Sequence, residues 1–290
     1  MESKVRKLHR AGLSQRQIAK ELGIGRGKVR IVLSNLNIQE KALIINDLHI
    51  PFHDRRAIDL MLKVADQFKP DIVFINGDIG DFWAISSYVK ISTLRDQAAL
   101  KKELSQCRRF LRGLRDRFPN SKIVFIAGNH EYRWDCYIEE HARELVGLKG
   151  LSLKDQLELE ELDIEWVYTG TRESSYLWGK LLIGHFNLAS MHSGYTAKNL
   201  IDRKGISLIQ GHCHRGGVHY KRIYNKVVVG YENFCLCDLN PPYVDRPNWQ
   251  QGFSLAWKDT QSDLFHVQQL PILQSDGKYK VMYNGKVMEG

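Results

Sequence analysis

Aspartate, asparagine and histidine recur in five short polar motifs along the chain. The motifs are Asp47-Leu48-His49, Gly77-Asp78-Ile79-Gly80-Asp81, Gly128-Asn129-His130-Glu131, Gly184-His185 and Gly211-His212-Cys213-His214. Imidazole suits Zn, Fe and Mn, and carboxylate oxygens suit harder ions such as Mn and Mg. Two such ions about 3.5–4 Å apart can hold the attacking and leaving oxygens of a phosphoryl displacement. The motifs therefore predict two divalent metal ions, with Mn favoured and Fe or Zn as alternatives.

Each motif follows a short apolar run that ends in a glycine or a polar turn, which predicts a buried strand. The runs cover residues 42–45, 72–75, 123–126, 181–183 and 206–209. Ligands of open α/β sheets bind outside the carboxyl ends of the strands, so we expect the five motifs to meet at one edge of a sheet. Asp78 is the expected bridging carboxylate, because Gly77 beside it permits a tight turn and a close backbone approach.

The ordered set D-x-H, G-D-x-x-D, G-N-H-E, H and G-H-x-H resembles the calcineurin-like metallophosphoesterase superfamily. The resemblance spans Asp47 to His214. It implies an α/β fold of two stacked β-sheets flanked by helices, and we assign that domain to residues 40–290. The chain is most similar in pattern to bacterial and phage members, whose substrates are loosely known.

The resemblance also implies a role for each polar residue. The first metal ion would be bound by residues of the first and fifth motifs, namely Asp47, His49 and His214. The second would be bound by residues of the third, fourth and fifth motifs, namely Asn129, His185 and His212. Asp78 would be shared by both ions. Because the fourth motif reads Gly-His-Phe where many members have His-Gly, His192 is kept as the alternative to His185.

Two further residues of the motifs would take part in the reaction itself. By the same resemblance, His130 would lie beside the substrate phosphate and would protonate the leaving oxygen or stabilise its charge. Asp81 would orient His130, since a carboxylate behind an imidazole fixes its tautomer and can raise its pKa. His130 and Asp81 are therefore the predicted catalytic pair.

Positive charge is concentrated at the start of the chain. The whole chain has 42 Lys/Arg against 33 Asp/Glu, a net charge of +9. Residues 1–38 hold nine Lys/Arg and two Asp/Glu, which leaves only +2 for residues 39–290. Apolar spacing in residues 1–38 predicts three short helices, and Ser14 to Gln17 matches a capping box. Residues 35–41 form the predicted junction with the larger domain.

The stretch from Gly12 to Ile24, followed by Val29 and Leu33, resembles the helix-turn-helix of resolvases, transposases and many regulators. Its last helix would be the recognition helix, placed in the major groove of duplex DNA. The resemblance implies that three basic residues of that helix contact DNA, namely Arg26, Lys28 and Arg30. The alternative is a three-helix appendage whose charges are merely solvated.

The remaining sequence completes the predicted architecture. We expect helices at 55–68, 96–118 and 134–146, and strands at 218–224, 226–231, 252–257 and 264–268, with Asn225 in a hairpin turn. Five cysteines, an odd number, and the lack of a secretory signal argue against a disulfide framework and predict a cytoplasmic protein. No apolar run approaches the roughly 20 residues that span a bilayer, so no membrane partner is expected. An oligomer is left open.

Three functions are compatible with these features. The first is a nuclease or phosphodiesterase that the helix-turn-helix directs to DNA. The second is a phosphatase or cyclic-nucleotide phosphodiesterase acting on small molecules or phosphoproteins, in which the helices serve regulation or assembly. The third is a DNA-binding regulator with a vestigial metal site, against which the complete ligand set argues. Charge and the helix-turn-helix together favour the first.

Overall fold

The structure is a computed structural model of the 290-residue chain. It describes residues 1–34, 39–87, 99–241, 244–245 and 247–290. Within these ranges the helices are α1 Glu2–Arg10, α2 Gln15–Glu21, α3 Arg26–Ser34, α4 Arg55–Phe68, α5 Ala99–Arg117, α6 Asn129–His141, α7 Leu153–Gln156 and α8 Tyr195–Lys204. Short 3-10 turns cover Trp83–Ile85 and Arg143–Leu145.

The strands form two large sheets and one small one. They are β1 Gln39–Ile45, β2 Ile72–Asn76, β3 Lys122–Ile126, β4 Ile164–Val167, β5 Ser174–Trp178, β6 Leu181–His185, β7 Leu208–Gln210, β8 Gly216–Ile223, β9 Lys226–Asn233, β10 Gly252–Asp259, β11 Phe265–Pro271, β12 Leu273–Ser275, β13 Lys278–Tyr283 and β14 Lys286–Glu289. The orders are β11-β10-β1-β2-β3-β4, β5-β6-β7-β9-β8 and β12-β13-β14.

Strand β1 shows why the two large sheets stack. Side chains alternate between the two faces of a strand. Leu43 and Ile45 belong to a core cluster shared with helix α4, whereas Ala42 and Ile44 belong to a cluster shared with β6 residues such as Ile183. The strand is apolar on both faces because helices cover one face of its sheet and the second sheet covers the other. The predicted two stacked sheets flanked by helices are confirmed.

The parallel strands of each sheet carry the polar motifs. Strand β2 lies between β1 and β3 and is parallel to both. In the second sheet β7 is parallel to its neighbours β6 and β9. Parallel strands end at the same edge, so the residues at the carboxyl ends of β1, β2 and β3 and of β6 and β7 lie at adjoining edges of the two sheets. The five motifs are thus divided between two sheets and do not meet at one edge of a single sheet, contrary to the prediction from the sequence.

Several boundaries differ from those expected. Helix α4 has the predicted bounds, and the β8–β9 hairpin turns at Tyr224-Asn225 as expected. Helix α6 begins at Asn129 rather than Trp134, because it starts within the third motif itself, and it ends at His141. Helix α5 is described from Ala99, and the start predicted at residue 96 lies outside the described residues. Strands β4, β5 and β12–β14 were not predicted.

The three N-terminal helices pack around a small core of their own. Val5, Ile18, Val29 and Val32 are buried there, one or two from each helix. The Ser14 hydroxyl accepts from the Gln17 N–H at 3.4 Å, and the Gln17 side chain accepts from the Ser14 N–H at 2.9 Å, as the capping box predicts. Residues 35–38 of the expected junction lie outside the described residues.

The small sheet β12–β14 packs beside helix α4. The Tyr279 hydroxyl donates to the carboxylate of Asp54, the residue that caps the start of α4. The Arg56 guanidinium lies 4.2 Å from the centre of the Tyr279 ring. Among the described residues, no helix is both long enough and apolar enough to cross a membrane.

Candidate metal centre

Four of the five motifs follow their strands closely, and the fourth forms the last two residues of β6. Five of the predicted metal ligands have a positive φ in the left-handed region, namely Asp47, His49, Asp78, His212 and His214. A residue other than glycine costs about 1–3 kcal/mol in such a conformation, and such residues cluster at functional sites. The turns are joined to each other, because the N–H groups of Leu48 and His49 both donate to the Asp78 carbonyl at 3.0 Å. The backbone thus directs several polar side chains towards one region.

The first and fifth motifs form one cluster of potential ligands. Nε2 of His49 lies 3.0 Å from Nε2 of His214, and the latter lies 3.1 Å from Oδ1 of Asp47. All three side chains are buried, and their ligand atoms lie close enough to hold one metal ion. This is the set predicted for the first metal ion.

The second, fourth and fifth motifs form the adjacent cluster. Asp78, His185 and His212 have ligand atoms close enough to hold a metal ion. Nε2 of His185 lies 3.3 Å from Oδ2 of Asp78 and 3.2 Å from Oδ1 of Asn129. The structure places His185 here, whereas the alternative His192 packs its ring against Tyr195.

Asp78 lies between the two clusters. Its Oδ2 is 3.8 Å from Nε2 of His49 in the first cluster and 3.3 Å from Nε2 of His185 in the second. Its Oδ1 accepts from the N–H of His130 at 3.0 Å. One carboxylate therefore faces both clusters, which is the placement a bridging ligand requires.

The donor set fits a cation between these groups. Nδ1 of His185 lies 2.8 Å from the carbonyl oxygen of Asn76, and a carbonyl only accepts, so Nδ1 carries the hydrogen. In the neutral ring Nε2 is then a lone pair that faces the Asp78 carboxylate. Two acceptors at 3.3 Å repel unless a proton or a metal ion lies between them. A hydrogen bond from the far nitrogen of an imidazole to a carbonyl is also the usual support of a metal ligand.

The pKa values of the buried ligands are shifted by burial and by the charges of their neighbours. Burial lowers the pKa of His185, but the Asp78 carboxylate outweighs it and raises the value to about 9. Burial would raise the pKa of Asp78, yet His130 and His185 hold it well below its usual range. For His212, burial and the nearby His185 lower the pKa to about 4. The pKa values of the two neighbouring imidazoles are thus shifted in opposite directions.

His130 and Asp81 are in contact, but not through the carboxylate. Nδ1 of His130 lies 2.7 Å from the main-chain carbonyl of Asp81, whereas the Asp81 carboxylate is 4.0 Å from that nitrogen. The carboxylate instead lies 3.2 Å from Nδ1 of His49. The carbonyl fixes the proton of His130 on Nδ1, and Nε2 points towards Asp78 at 3.8 Å. Burial lowers the pKa of His130 to about 3, so the ring is neutral near pH 7.

Glu131, the last residue of the third motif, connects the second and third motifs through hydrogen bonds. Its Oε2 accepts from the N–H groups of Gly128 at 2.7 Å and Asp78 at 2.9 Å, and its Oε1 accepts from Ile79 at 2.9 Å. A Cβ on Gly128 would overlap Oδ1 of Asp78, so glycine is needed where the two turns meet. Glu131 was not assigned a role from the sequence, although its place in the motif was the available signal.

Two other residues at the site carried no sequence signal. Arg133, one helical turn after His130, donates to the Asp81 carbonyl at 2.7 Å. Trp249 lies against the ring of His214, with ring centres 4.2 Å apart.

Away from the site, the side chains predicted to contact DNA are all exposed on α3, namely Arg26, Lys28 and Arg30. All five cysteines are free thiols.

Two curated phage proteins are similar to this chain over most of its length. The "Gene 54 protein" of Mycobacterium phage L5 is 25% identical over 274 residues, which cover 87% of this chain and 100% of the relative. The "Gene 54 protein" of Mycobacterium phage D29 is 28% identical over 238 residues, covering 77% and 90%. Their names state no activity.

Among solved structures, Vps29 of Chaetomium thermophilum aligns with a TM-score of 0.40 and 16% identity, over 87% of this chain and 93% of that one. The family profile is more informative. The profile described as calcineurin-like phosphoesterase matches residues 41–267, which contain the seven predicted metal ligands, the predicted catalytic pair and most of the two stacked sheets. The chain therefore belongs to the calcineurin-like phosphoesterase family.

Proposed function

We propose that the protein is a two-metal phosphodiesterase that cleaves nucleic acid and is brought to duplex DNA by helices α1–α3. The observation that carries the enzymatic part is the position of Asp78. Its Oδ2 faces an imidazole nitrogen of each ligand cluster, at 3.8 Å for His49 and 3.3 Å for His185. A carboxylate so placed can bridge two ions, with Asp47, His49 and His214 on one side and Asn129, His185 and His212 on the other. Mn is the ion we favour.

Two divalent ions at this site would stabilise negative charge on the attacking and leaving oxygens of a phosphoryl displacement. The chain itself supplies the proton for the leaving oxygen. Since the carbonyl of Asp81 holds the proton on Nδ1 of His130, Nε2 is the atom that exchanges a proton with the substrate. The charge of an incoming phosphodiester raises the low pKa of this buried ring, because an opposite charge favours the protonated form. His130 can then release the proton from Nε2 to the leaving oxygen.

Nucleic acid is supported as the substrate by the N-terminal helices. They fold around their own core, and the sequence that forms them carries +7 of the chain's +9 net charge. The side chains of Arg26, Lys28 and Arg30 are exposed on α3, so none is buried in the core of the three helices. Lys and Arg that neutralise phosphates account for most non-specific DNA affinity. We therefore assign residues 1–38 to DNA binding and residues 40–290 to catalysis, in the cytoplasm.

One assay separates this proposal from its main alternative. The purified protein, loaded with Mn²⁺, is given labelled duplex DNA, single-stranded DNA, bis-p-nitrophenyl phosphate and p-nitrophenyl phosphate in parallel. We expect cleavage of DNA and of the diester, and slower hydrolysis of the monoester. Preference for the monoester with intact DNA would establish the phosphatase alternative instead.

Asp78→Asn is the variant that tests the metal centre. Metal analysis should give about two ions per chain for the wild type and fewer for the variant, whose hydrolysis should be abolished, as a bridging role requires. Asp135→Asn, a change on helix α6 outside the ligand clusters, is the control and should keep both ions. Full activity of Asp78→Asn in the presence of a chelator would overturn the proposed metal centre.

A further inference from the structure

The ring of His214 is enclosed on three sides, and one side is an unexplained aromatic residue. Nε2 faces Asp47 and His49 in the first ligand cluster. Nδ1 lies 3.8 Å from Sγ of Cys237. The third neighbour is Trp249, whose ring is inclined at 62° to the imidazole. Neither the metal chemistry nor the N-terminal helices require a tryptophan at this place.

Trp249 is only partly buried, so the residue is partly accessible beside the metal centre. Burying an aromatic ring completely is favourable, and a core tryptophan such as Trp178 is 3% exposed. A partly exposed aromatic ring next to a reaction centre offers a flat apolar surface to the substrate. The ring packs against His214, which is itself a member of the first ligand cluster.

The backbone on both sides of Trp249 is held in place. Before it, the carbonyl of Asn248 accepts from Nε of Arg215 at 3.1 Å. After it, the N–H of Gln250 donates to the carbonyl of His214 at 2.8 Å. Arg215 also donates through Nη1 to the carbonyl of Ser190. Because His214 belongs to the fifth motif and Arg215 immediately follows it, the backbone on both sides of Trp249 is held beside the metal centre.

We infer that Trp249 is the stacking platform for a nucleobase adjacent to the scissile phosphate. This inference rests on the proposed phosphodiesterase function and adds the residue that recognises the base of its substrate. Every base has a π-face, so stacking on an aromatic side chain selects nucleotides without selecting sequence. A pre-positioned ring loses little conformational entropy on binding, which makes such a contact effective.

The test compares two diesters that share a leaving group and differ in the base. Thymidine 5′-(p-nitrophenyl phosphate) carries a nucleoside, and methyl p-nitrophenyl phosphate carries none. With the Mn-loaded protein, Trp249→Ala should lower kcat/KM for the thymidine ester by roughly 5- to 100-fold, the usual range for one base stacked on one aromatic ring. The methyl ester should change by no more than about twofold, and Trp249→Phe should retain most of the preference.

Two controls keep the result interpretable. Tyr224→Ala removes an aromatic residue that is 92% exposed at the β8–β9 turn, and it should leave both esters unaffected. Metal content of Trp249→Ala should equal that of the wild type. Equal losses on both esters would show that Trp249 only supports His214, and an unchanged preference would show that it does not contact the base; either result overturns the inference.

Binding gives a readout that does not depend on turnover. Quenching of tryptophan fluorescence by thymidine 5′-monophosphate should be weakened by Trp249→Ala, whereas ribose 5-phosphate should cause little quenching in either protein. If both esters are hydrolysed but Trp249→Ala alters neither preference nor quenching, the stacking inference fails and the proposed function stands. If neither ester is hydrolysed while the nucleotide still quenches through Trp249, the proposed function fails and the stacking inference stands.

Discussion

The carboxylate of Asp81 is directed at His49, with Oδ2 3.2 Å from Nδ1 of that ring. Both side chains are buried. Nδ1 of His49 therefore carries a hydrogen that the carboxylate accepts, and Nε2 is left to face the first ligand cluster. A carboxylate in this position orients a metal-binding imidazole and increases its basicity. The main chain of Asp81, not its side chain, holds His130.

Because the side chain of Asp81 contacts His49 and its carbonyl contacts His130, the effect of Asp81→Ala can be predicted. The variant loses the support of His49 but keeps the carbonyl that holds His130. Metal affinity of the first site should fall roughly 10- to 100-fold, the usual effect of removing such a partner. Isothermal titration with Mn²⁺ measures the affinity, and Asp81→Asn, whose amide oxygen still accepts from Nδ1, should recover part of it.

A second measurement separates this role from catalysis by His130. At saturating Mn²⁺ the ratio of rates for good and poor leaving groups should be the same in Asp81→Ala and in the wild type. A changed ratio with normal metal affinity would show that the carboxylate acts on His130, as first expected from the sequence.

His130→Ala should show the opposite behaviour. It should keep its metal ions and lose turnover by roughly 100- to 10,000-fold, the usual contribution of general acid catalysis. The loss should be smaller for esters of p-nitrophenol than for esters of phenol, because a good leaving group needs little protonation. Steady-state rates on the two esters give the comparison.

His141→Ala is the matched control for this change. His141 lies on the same helix and is exposed, so its removal should leave both rates near those of the wild type. Equal losses on both esters in His130→Ala would instead show that the ring stabilises charge or positions the phosphate without donating a proton.

The sequence was sufficient for the parts of the site that depend on short spacings. Strand-ending motifs identified Asp47, Asp78 and His212 as site residues because parallel strands align their carboxyl ends, although His212 follows a strand of the second sheet. The direction of the Asp81 side chain could not be predicted, because it depends on the rotamer and on how two separate turns meet. Trp249 is likewise brought to His214 only by long-range packing, and no local pattern marks it.

The same reasoning explains the elements that were missed. Strands β12 and β14 are short and largely exposed, so they lack the apolar run that identifies a buried strand. Strand β5 places polar Ser174 and Ser175 where an apolar run is expected. Helix α6 starts earlier than its apolar pattern indicates because Glu131 accepts from Gly128 and so supports the first turn. Tertiary hydrogen bonds of this kind leave little trace in local periodicity.

Glu131→Gln should destabilise the fold strongly. Both carboxylate oxygens accept from main-chain N–H groups, from Gly128 and Asp78 on Oε2 and from Ile79 on Oε1. The amide nitrogen of glutamine cannot accept, so at least one buried N–H loses its partner, at about 1–3 kcal/mol for each. Urea denaturation of the chelator-treated protein should show a lower free energy of unfolding.

Glu140→Gln is the matched control, since Glu140 lies on the same helix and is exposed. Its free energy of unfolding should remain within about 0.5 kcal/mol of the wild type. Equal stability of Glu131→Gln and Glu140→Gln would show that the three hydrogen bonds to Glu131 contribute nothing net to the fold.

Glu103 should make the stability fall as pH rises. Burial raises the pKa of this α5 carboxyl to about 8, even though it accepts from the N–H of Phe82. In the unfolded chain the group ionises near its ordinary value of 4.5, so between these pH values the folded state binds more protons. The free energy of unfolding therefore decreases from about pH 4.5 to about pH 8 through this group, by up to roughly 3–5 kcal/mol.

Glu103→Gln keeps the acceptor for Phe82 and removes the titration. Urea denaturation at pH 5, 6.5 and 8, with chelator throughout to exclude metal linkage, should show a shallower decline for the variant. Glu140→Gln should keep the slope of the wild type. An identical slope in Glu103→Gln would mean that the carboxyl is ionised in the folded protein.

Removal of residues 1–38 should separate DNA binding from catalysis. Each phosphate contact made by Lys or Arg releases counterions, so log affinity falls with log salt by about 0.9 per contact. The segment has nine basic residues, and if about half of them reach phosphates at once, the intact protein should have a salt slope steeper by roughly three to five units. Hydrolysis of bis-p-nitrophenyl phosphate should stay near normal, because all nine metal-centre residues lie within the family match at 41–267.

Point variants locate the effect on helix α3. Arg26→Ala, Lys28→Ala and Arg30→Ala should each weaken duplex binding and reduce the salt slope by about one unit, because each exposed cation can account for one phosphate contact. Lys286→Ala removes an exposed lysine of β14 and is the control, for which the slope should not change. If the truncated protein binds duplex DNA with the affinity and slope of the intact one, the helix-turn-helix hypothesis is wrong. The small-molecule phosphodiesterase would then be the better account, since stacking on Trp249 requires a base but no duplex.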